Sequence, residues 1–285
     1  MNPAHLLPNL PSAMNAPYIA PQTDTCIFCS NPANSKEDMF PRWILERVKT
    51  REPLSRRIGD TRPVVTEEQE VRIPCVCGAC NNGWMSRLER KCKPIIGSLL
   101  EDLSLALDAQ HRKFLSEWAL KTAMVCDACG GRARFFTDAE CHAFKSNNRQ
   151  IPDGTGVWAG RFTGRTLSAI GGEFSLDSPT TKGVGRGYVF TVCVGHLIFQ
   201  VLSLHKQPEI ATVTITASPI KWETFLISLW PPLKPKTQKL TWPPQNNFAL
   251  DENPNLGNLH YARLVDRWNV TDGHSISLRQ TNPQK

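Results

Sequence analysis

The chain has 285 residues, 40% of them hydrophobic, which is enough apolar material for one large domain or two smaller ones and excludes a wholly disordered chain. The net charge of +7 favours polyanionic partners, of which nucleic acid is the first to consider. No apolar run approaches the roughly 18 residues that a membrane-spanning helix needs, and no basic segment followed by an apolar core opens the sequence. We therefore expect a soluble, cytoplasmic protein without a membrane partner.

Composition along the chain predicts five stretches of different character. The first is rich in Pro, Asn and Ala and is expected to be disordered, whereas the second is polar and cysteine-bearing, so that its fold needs a support other than a hydrophobic core. Helical spacing dominates the third stretch, strand-like segments the fourth, and the last looks irregular. The predicted boundaries are 1–24, 25–95, 96–150, 151–245 and 246–285.

Two CxxC pairs, Cys26/Cys29 and Cys77/Cys80, are the strongest motif of the second stretch. Cysteines of a cytoplasmic protein are more often reduced or metal-bound than paired as disulfides, and a CxxC turn lets both sulfurs reach one zinc ion. We predict a structural Zn²⁺ held by all four thiolates, with a hairpin and a helix inserted between the pairs. Ordinary buried cysteines are the alternative, and Cys75 is the alternative ligand to Cys77.

Three helices are predicted from apolar side chains at helical spacing, over residues 39–48, 85–99 and 108–125. The second is expected to break or kink at Pro94. The third should bury the face that carries Trp118 and should stop at the glycine pair that follows it.

A third cysteine pair, Cys126 and Cys129, is followed by Cys141 and His142. These four residue types match zinc ligands, so a second metal site is one hypothesis. The alternative is that the cysteines pack at the end of the third helix.

The fourth stretch is expected to form an antiparallel sheet. Strands over 188–194 and 197–204 flank Gly195-His196, which we interpret as a hairpin turn, and 210–215 alternates like a further strand. The Trp-Pro-Pro steps at 230–232 and 242–244 cannot continue a central strand, so we expect extended chain on the surface there.

Three segments of the sequence occur together in a known pattern. They are Cys26 to Cys29, then Ser35-Lys36-Glu37-Asp38-Met39-Phe40-Pro41-Arg42-Trp43, then Cys77 to Cys80 running into Asn81-Asn82-Gly83-Trp84-Met85-Ser86. Together they resemble the HNH endonuclease family, specifically its zinc-knuckle bacterial and phage-type members. The resemblance covers about residues 25–95, and residues 118–124 are similar to the continuation in that subgroup.

The resemblance implies a zinc-stapled ββα-metal module, HNH-like or treble-clef-like. Together with the central helices and the C-terminal antiparallel β-rich region expected from the residue patterns, this predicts an α+β protein. In the family, a divalent ion such as Mg²⁺ is held against the scissile phosphate while a histidine activates water. Carried over by position, Glu37 matches the acidic metal ligand, Asp38 occupies the place of the histidine, and Asn81 matches the last ligand. The catalytic candidates are therefore Glu37, Asp38 and Asn81.

Asp38 is the departure from the family pattern, because an ordinary aspartate has a pKa near 3.9 and is a weaker base than histidine at neutral pH. We expect an endonuclease that hydrolyses DNA phosphodiester bonds, with a non-catalytic zinc-dependent nucleic-acid-binding or regulatory protein as the alternative. A protein-interaction scaffold is a third class. Without the resemblance, Glu37-Asp38 would be interpreted as the solvated first turn of the helix over 39–48.

Basic side chains occur near both cysteine pairs and are expected to contact phosphate groups, with a merely solvated charged face as the alternative. The candidates for nucleic-acid binding are Lys36, Arg42, Arg87, Arg90 and Lys91.

Overall fold

The computed structural model describes residues 24–48, 54–56, 64–66, 71–129, 133–146, 149–176, 185–206, 212–214, 226–231, 240–246 and 275–277. Helices and strands both occur in these ranges, so the predicted α+β class is confirmed at that level. The predicted disordered lead-in, apart from its last residue, and most of the predicted irregular tail lie outside the described residues.

An antiparallel strand pair forms the base of the N-terminal part. Strand β1 (Ser35–Asp38) pairs with β4 (Arg72–Val76). Between these strands the chain forms helix α1 (Arg42–Val48) and a second antiparallel pair, β2 (Leu54–Arg56) with β3 (Val64–Thr66). The predicted insertion of a helix and a hairpin between the two cysteine pairs is therefore confirmed.

A long helical run follows β4 and is kinked at Gly83, whose backbone is not helical (φ −90°, ψ −105°). It consists of α2 (Gly78–Cys80), a π-helical segment (Asn81–Met85) and α3 (Ser86–Leu100). The helix continues through Pro94, so the break predicted there is wrong, while the kink predicted as the alternative stays a prediction. Arg90, whose carbonyl loses its helical donor to the proline, is exposed and can bind water instead.

Helix α4 (Ala109–Asp127) confirms the predicted helix over 108–125. It begins at Asp108, whose carboxylate accepts a hydrogen bond from the backbone N–H of His111 at 2.8 Å. Trp118 lies on its buried face and is 1% exposed. Helix α5 (Asp138–Lys145) follows, and the glycine pair predicted to end α4 lies outside the described residues.

The largest sheet has three antiparallel strands, with β6 (Thr155–Leu176) between β7 (Gly185–Lys206) and β9 (Leu226–Trp230). The predicted hairpin turn at Gly195-His196 is wrong, since both residues lie inside β7. Gly195 has a φ of +60° and lies opposite Thr166, where the pairing of β6 with β7 shifts register. Glycine accommodates this irregularity because it has no Cβ.

Two short strand pairs complete the described fold. Strand β5 (Leu105–Leu107) pairs antiparallel with β10 (Leu240–Trp242), and β8 (Thr212–Thr214) pairs parallel with β11 (Ser275–Ser277). Strand β8 confirms the central part of the strand predicted over 210–215.

The two Trp-Pro-Pro steps come at the ends of strands, since β9 ends at Trp230 and β10 ends at Trp242. Trp242 is fully buried, so the surface location predicted for the second step is wrong. Burial of the indole adds apolar contact area to the core, and the prolines that follow it do not prevent this burial.

Most buried apolar side chains form one cluster that extends from Cys26 to Trp242, and a smaller cluster joins Cys193, Ile198 and Leu226. Helix α4 lies at its centre and contacts α3 and all three strands of the large sheet. Trp118 packs on Phe199 of β7 with ring centroids 5.4 Å apart. Among the described residues, no helix is both long and apolar enough to span a membrane.

Candidate metal centre and adjoining cleft

Cys26, Cys29, Cys77 and Cys80 converge at the junction of the N-terminal loop and the long helical run. Their four sulfurs lie within 4.8 Å of one another. The Cys29 sulfur is 3.6 Å from that of Cys77 and 3.7 Å from that of Cys80. A tetrahedral site with Zn–S bonds of about 2.3 Å has sulfur–sulfur edges of about 3.8 Å, so the four thiols fit zinc.

Backbone hydrogen bonds position both cysteine turns. The N–H of Ile27 donates to the carbonyl of Cys75 at 3.0 Å and so joins the first turn to β4. The N–H of Gly78 donates to Oδ1 of Asn34 at 3.0 Å, and the N–H of Cys80 donates to the Cys77 sulfur at 3.4 Å. The second turn is therefore also the start of the helical run, which fixes its sulfurs against the first turn.

Aromatic side chains enclose the cysteine cluster. Phe28, inside the first CxxC turn, packs edge-on against Trp84 with centroids 5.0 Å apart. Phe144 of α5 packs edge-on against the same indole at 5.8 Å. Trp84 and Trp43 are both buried and pack in the core. A shielded site of this kind suits a structural metal rather than one that exchanges solvent.

The surroundings of the thiols shift the pKa values of Cys26, Cys77 and Cys80 in different directions. Burial raises the pKa of Cys26, and burial together with the charge of Cys26 raises that of Cys80. Burial alone would also raise the pKa of Cys77, but hydrogen bonds from the Cys80 backbone and the neighbouring thiols lower it to about 7. In the metal-free protein Cys26 and Cys80 therefore keep their protons at neutral pH, and zinc must displace them.

Zinc affinity is therefore expected to fall as the pH falls from about 8 to about 6, because protons compete for the sulfurs and Cys77 also becomes protonated below a pH of about 7. A chromophoric chelator competing for zinc at several pH values measures this affinity. Calorimetry in buffers of different ionisation enthalpy counts the protons released. An affinity independent of pH, with no proton release, would argue against ligation by thiolates.

Cys75 does not belong to the cluster, although it is fully buried two residues before Cys77. Burial raises the pKa of Cys75 well above its ordinary value, which keeps it a neutral thiol. The choice of Cys77 over Cys75 as a ligand candidate is thus supported by the geometry.

The predicted second metal site does not assemble in the part of the chain that the structure describes. No group of three ligand atoms drawn from Cys126, Cys129, Cys141 and His142 comes together there. Cys141 is fully buried, and burial raises its pKa to about 12. The Arg134 guanidinium donates to its sulfur at 3.8 Å. Cys141 is thus a buried packing residue, and Cys126 and Cys129 at the end of α4 pack partly buried against the core, as the alternative hypothesis expected.

A cleft of about 390 Å³ lies beside the cysteine cluster and brings together the three catalytic candidates. Glu37 and Asp38 come from β1, and Asn81 comes from the π-helical segment that follows Cys80. The interpretation of Glu37-Asp38 as the first turn of a helix is wrong, because both residues belong to a strand. The other lining residues are Lys36, Pro41, Arg42, Trp43, Glu46 and Glu89.

Asn81 connects the cysteine cluster to β1 through its side-chain amide. Its Nδ2 donates to Oγ of Ser35 at 2.9 Å and to the carbonyl of Lys36 at 2.8 Å. Because the nitrogen is held by the strand, the amide oxygen is the atom that Asn81 offers as a cation ligand.

Glu37 is buried and forms an ion pair with Lys121 of α4, with Oε1 and Nζ 2.5 Å apart. Both side chains are less than 10% exposed, at 7% and 3%. A buried carboxylate without a cation beside it is costly, so the Lys121 ammonium offsets the burial of Glu37.

Asp38 also faces a cation, since the Arg72 guanidinium lies 3.2 Å from its carboxylate across the β1–β4 pair. This pair is about half exposed and therefore weak. The indole N–H of Trp43 donates to Glu89 at 2.5 Å. Among the described residues, no histidine lines the cleft.

The predicted nucleic-acid-binding residues lie in three places. Lys36 and Arg42 line the cleft, and Arg87 lines a different recess. Arg90 and Lys91 are exposed on α3, and the Lys91 ammonium lies over the Phe114 ring at 4.8 Å from its centroid.

Sequence analysis missed the cations that meet the two acidic candidates, Lys121 and Arg72. The signal for Lys121 was present, because a lysine three residues after Trp118 falls on the face of α4 predicted to be buried. A charged residue on a buried helix face implies an ionic partner. No family model, curated protein or solved structure matches the chain.

Proposed function

We propose that the chain is a zinc-stapled, HNH-like endonuclease that hydrolyses DNA phosphodiester bonds with a divalent metal ion. The observation that carries the proposal is the meeting of Glu37, Asp38 and Asn81 in one cleft beside the four cysteines. The pairing of β1 with β4, and the helical run that follows β4, support a ββα-metal arrangement in which α1 and the β2–β3 pair are inserted between the two strands.

The residues of the cleft suit a hard divalent cation. Carboxylate and amide oxygens are the ligands that Mg²⁺ prefers, and Glu37 and Asn81 would supply them. The ion would polarise the scissile phosphate. Asp38 would accept the proton of the attacking water, while Lys36 and Arg42 on the rim would hold flanking phosphates.

The second candidate function is non-catalytic nucleic-acid binding, and the cations around the acidic pair favour it. Lys121 already neutralises Glu37, and Arg72 neutralises Asp38, so the cleft holds both carboxylates without a metal. In the described part of the chain, the four cysteines are the one group of three or more His, Cys, Asp or Glu side chains arranged to hold a metal ion. A cleft of this kind would bind a phosphate backbone through its cationic rim alone.

Cleavage of supercoiled plasmid in the presence of Mg²⁺ or Mn²⁺ tests the proposal. We expect the native protein to nick the plasmid and Asp38→Asn to lose about 100-fold in rate, since removing a general base has this order of effect. Asp38→His should increase the rate, because histidine is the better base at neutral pH. Glu46→Gln is the matched control, as Glu46 is an exposed acid lining the same cleft.

Two other results would select the second candidate. One is salt-sensitive DNA binding without cleavage by the native protein or any variant. The other is cleavage by Asp38→His alone, which would show that the native cleft binds DNA but lacks its base.

A further inference from the structure

A second recess, of about 420 Å³, lies beside the helical run and is lined by residues of that run that do not line the cleft. Arg87, Lys145 and Arg149 line it together with the ring of Trp84, and we call it the cationic pocket. None of the described residues that line it is acidic. Three cations gathered in one concave site without a lining carboxylate define a site for an anion.

The three cations come from separate elements. Arg87 is in the first turn of α3, Lys145 is the last residue of α5, and Arg149 lies in the segment that leads toward β6. Their convergence therefore depends on the tertiary fold rather than on a run of basic sequence.

Two of the cations are held in place by groups behind the pocket. The Arg149 guanidinium lies over the Trp84 ring at 5.1 Å from its centroid, and its Nε is 3.1 Å from a carboxylate oxygen of the buried Glu117. Burial lowers the pKa of Lys145, but the nearby Cys80 and Cys29 sulfurs outweigh this effect and raise it. Side chains that are already ordered lose little conformational entropy when a ligand binds.

The third cation, Arg87, is exposed to solvent at the edge of the pocket. Its planar guanidinium can donate two parallel hydrogen bonds to a phosphate. The backbone at Gly83 lies open beside it, since a Cβ added there would meet no atom within 4 Å. A phosphate group can therefore approach the backbone of the π-helical segment closely.

We propose that the cationic pocket binds a backbone phosphate of nucleic acid, at a position distinct from the cleft. The π-helical segment contributes to both sites, with Asn81 in the cleft and Gly83 and Trp84 in the pocket. A single strand of nucleic acid that crosses this segment would place one phosphate in each. The inference rests on the proposed function, because nucleic acid is the polyanion that the cleft would act on.

A charge placed in the pocket tests the proposal without removing a native group. Ala79 is exposed and lines the pocket, so Ala79→Glu adds a carboxylate there, and Ala79→Gln is a neutral control of the same size. The probe is a fluorescent duplex oligonucleotide whose anisotropy gives Kd at several salt concentrations, and zinc content checks that both variants are folded. We expect Ala79→Glu to bind about tenfold more weakly than Ala79→Gln.

A second comparison uses two exposed arginines of the same helix, Arg87 in the pocket and Arg90 outside it. Arg87→Gln should lower the slope of log Kd against log salt by about 1, as expected for one lost phosphate contact, and Arg90→Gln should lower it less. Equal binding by the two Ala79 variants would overturn the proposal. Equal losses for Arg87→Gln and Arg90→Gln would also overturn it, since they indicate a diffuse basic surface.

The outcomes separate this proposal from the proposed function. DNA binding that depends on the cationic pocket but is not followed by cleavage would contradict the proposed nuclease activity and support phosphate binding in the pocket. DNA cleavage together with a duplex affinity that Ala79→Glu does not change would support the nuclease activity and contradict phosphate binding in the pocket. A separate experiment uses inorganic phosphate as the ligand. If phosphate stabilises the native protein but not Ala79→Glu, while the duplex binds both proteins equally, the pocket binds free phosphate and its assignment to nucleic acid is wrong.

Discussion

Cys80→Ala is expected to remove zinc from the protein and to unfold the N-terminal module, whereas Cys75→Ala should keep both zinc and fold. The two cysteines are equally buried, at 1% and 0% exposed, and are five residues apart, so the substitutions remove the same atoms from similar surroundings. They differ in that Cys80 belongs to the four-sulfur cluster and Cys75 does not. Structural zinc contributes about 10–16 kcal/mol in zinc-finger peptides, while an ordinary core substitution costs roughly 0.5–3 kcal/mol.

Metal analysis of the purified variants and thermal melts followed by near-UV circular dichroism measure the two effects. The near-UV signal reports on Trp84, which packs against Phe28 inside the first cysteine turn and should lose its fixed environment when zinc leaves. Zinc retained in Cys80→Ala but lost in Cys75→Ala would make Cys75 the ligand. Zinc absent from the native protein would remove the metal centre altogether.

The parts of the fold that sequence predicted well are those set by local patterns. Helix α4 is capped by Asp108, and its apolar side chains recur from one turn to the next. Its start and its buried face can therefore be predicted without knowing what packs against the helix. The cysteine pairs are equally local, because a CxxC turn brings two sulfurs together whatever follows. The convergence of the two pairs was predictable because a structural zinc ion takes four ligands and each pair supplies two.

The wrong predictions depend on contacts between distant parts of the chain. Glu37 and Asp38 belong to a strand because β1 pairs with β4, whose first residue is 34 positions after Asp38. Gly195 lies within β7 because β6 pairs along both sides of it, although its sequence is typical of a hairpin turn. Strand pairing of this range leaves no periodic signal in a single sequence.

The same limit applies to the candidate cleft. The resemblance to the HNH family indicated Glu37, Asp38 and Asn81, and all three line one cleft. Lys121 is 84 positions from Glu37, and only the packing of α4 against the N-terminal strands places its ammonium on that carboxylate. The sequence therefore indicates that a buried Lys121 needs an ionic partner, but not that this partner is Glu37, and the charge balance of the cleft depends on that pairing.

Lys121→Met is expected to destabilise the protein by about 3–5 kcal/mol, because it leaves the Glu37 carboxylate buried without a counter-charge. The double variant Glu37→Gln/Lys121→Met should recover most of that loss, since neither side chain is then charged. The exposed pair Arg42–Glu46 is the control, and its double-mutant cycle should give a coupling of roughly 0.3–0.5 kcal/mol. Chemical denaturation of the single and double variants measures both couplings. A Glu37–Lys121 coupling as small as that of the control would mean that the buried pair does not form.

The Lys121→Met variant also distinguishes the two candidate functions, because it exposes what Glu37 binds when its lysine is gone. If Glu37 is a metal ligand, Mg²⁺ or Mn²⁺ should take the place of the ammonium and raise the Tm of Lys121→Met by mass action. The increase should be absent from Glu37→Gln/Lys121→Met, which retains Asp38 and Asn81 but lacks the carboxylate. A Tm of Lys121→Met that is insensitive to divalent ions would assign Glu37 to a structural ion pair. The cleft would then act on nucleic acid through its cationic rim, without hydrolysis.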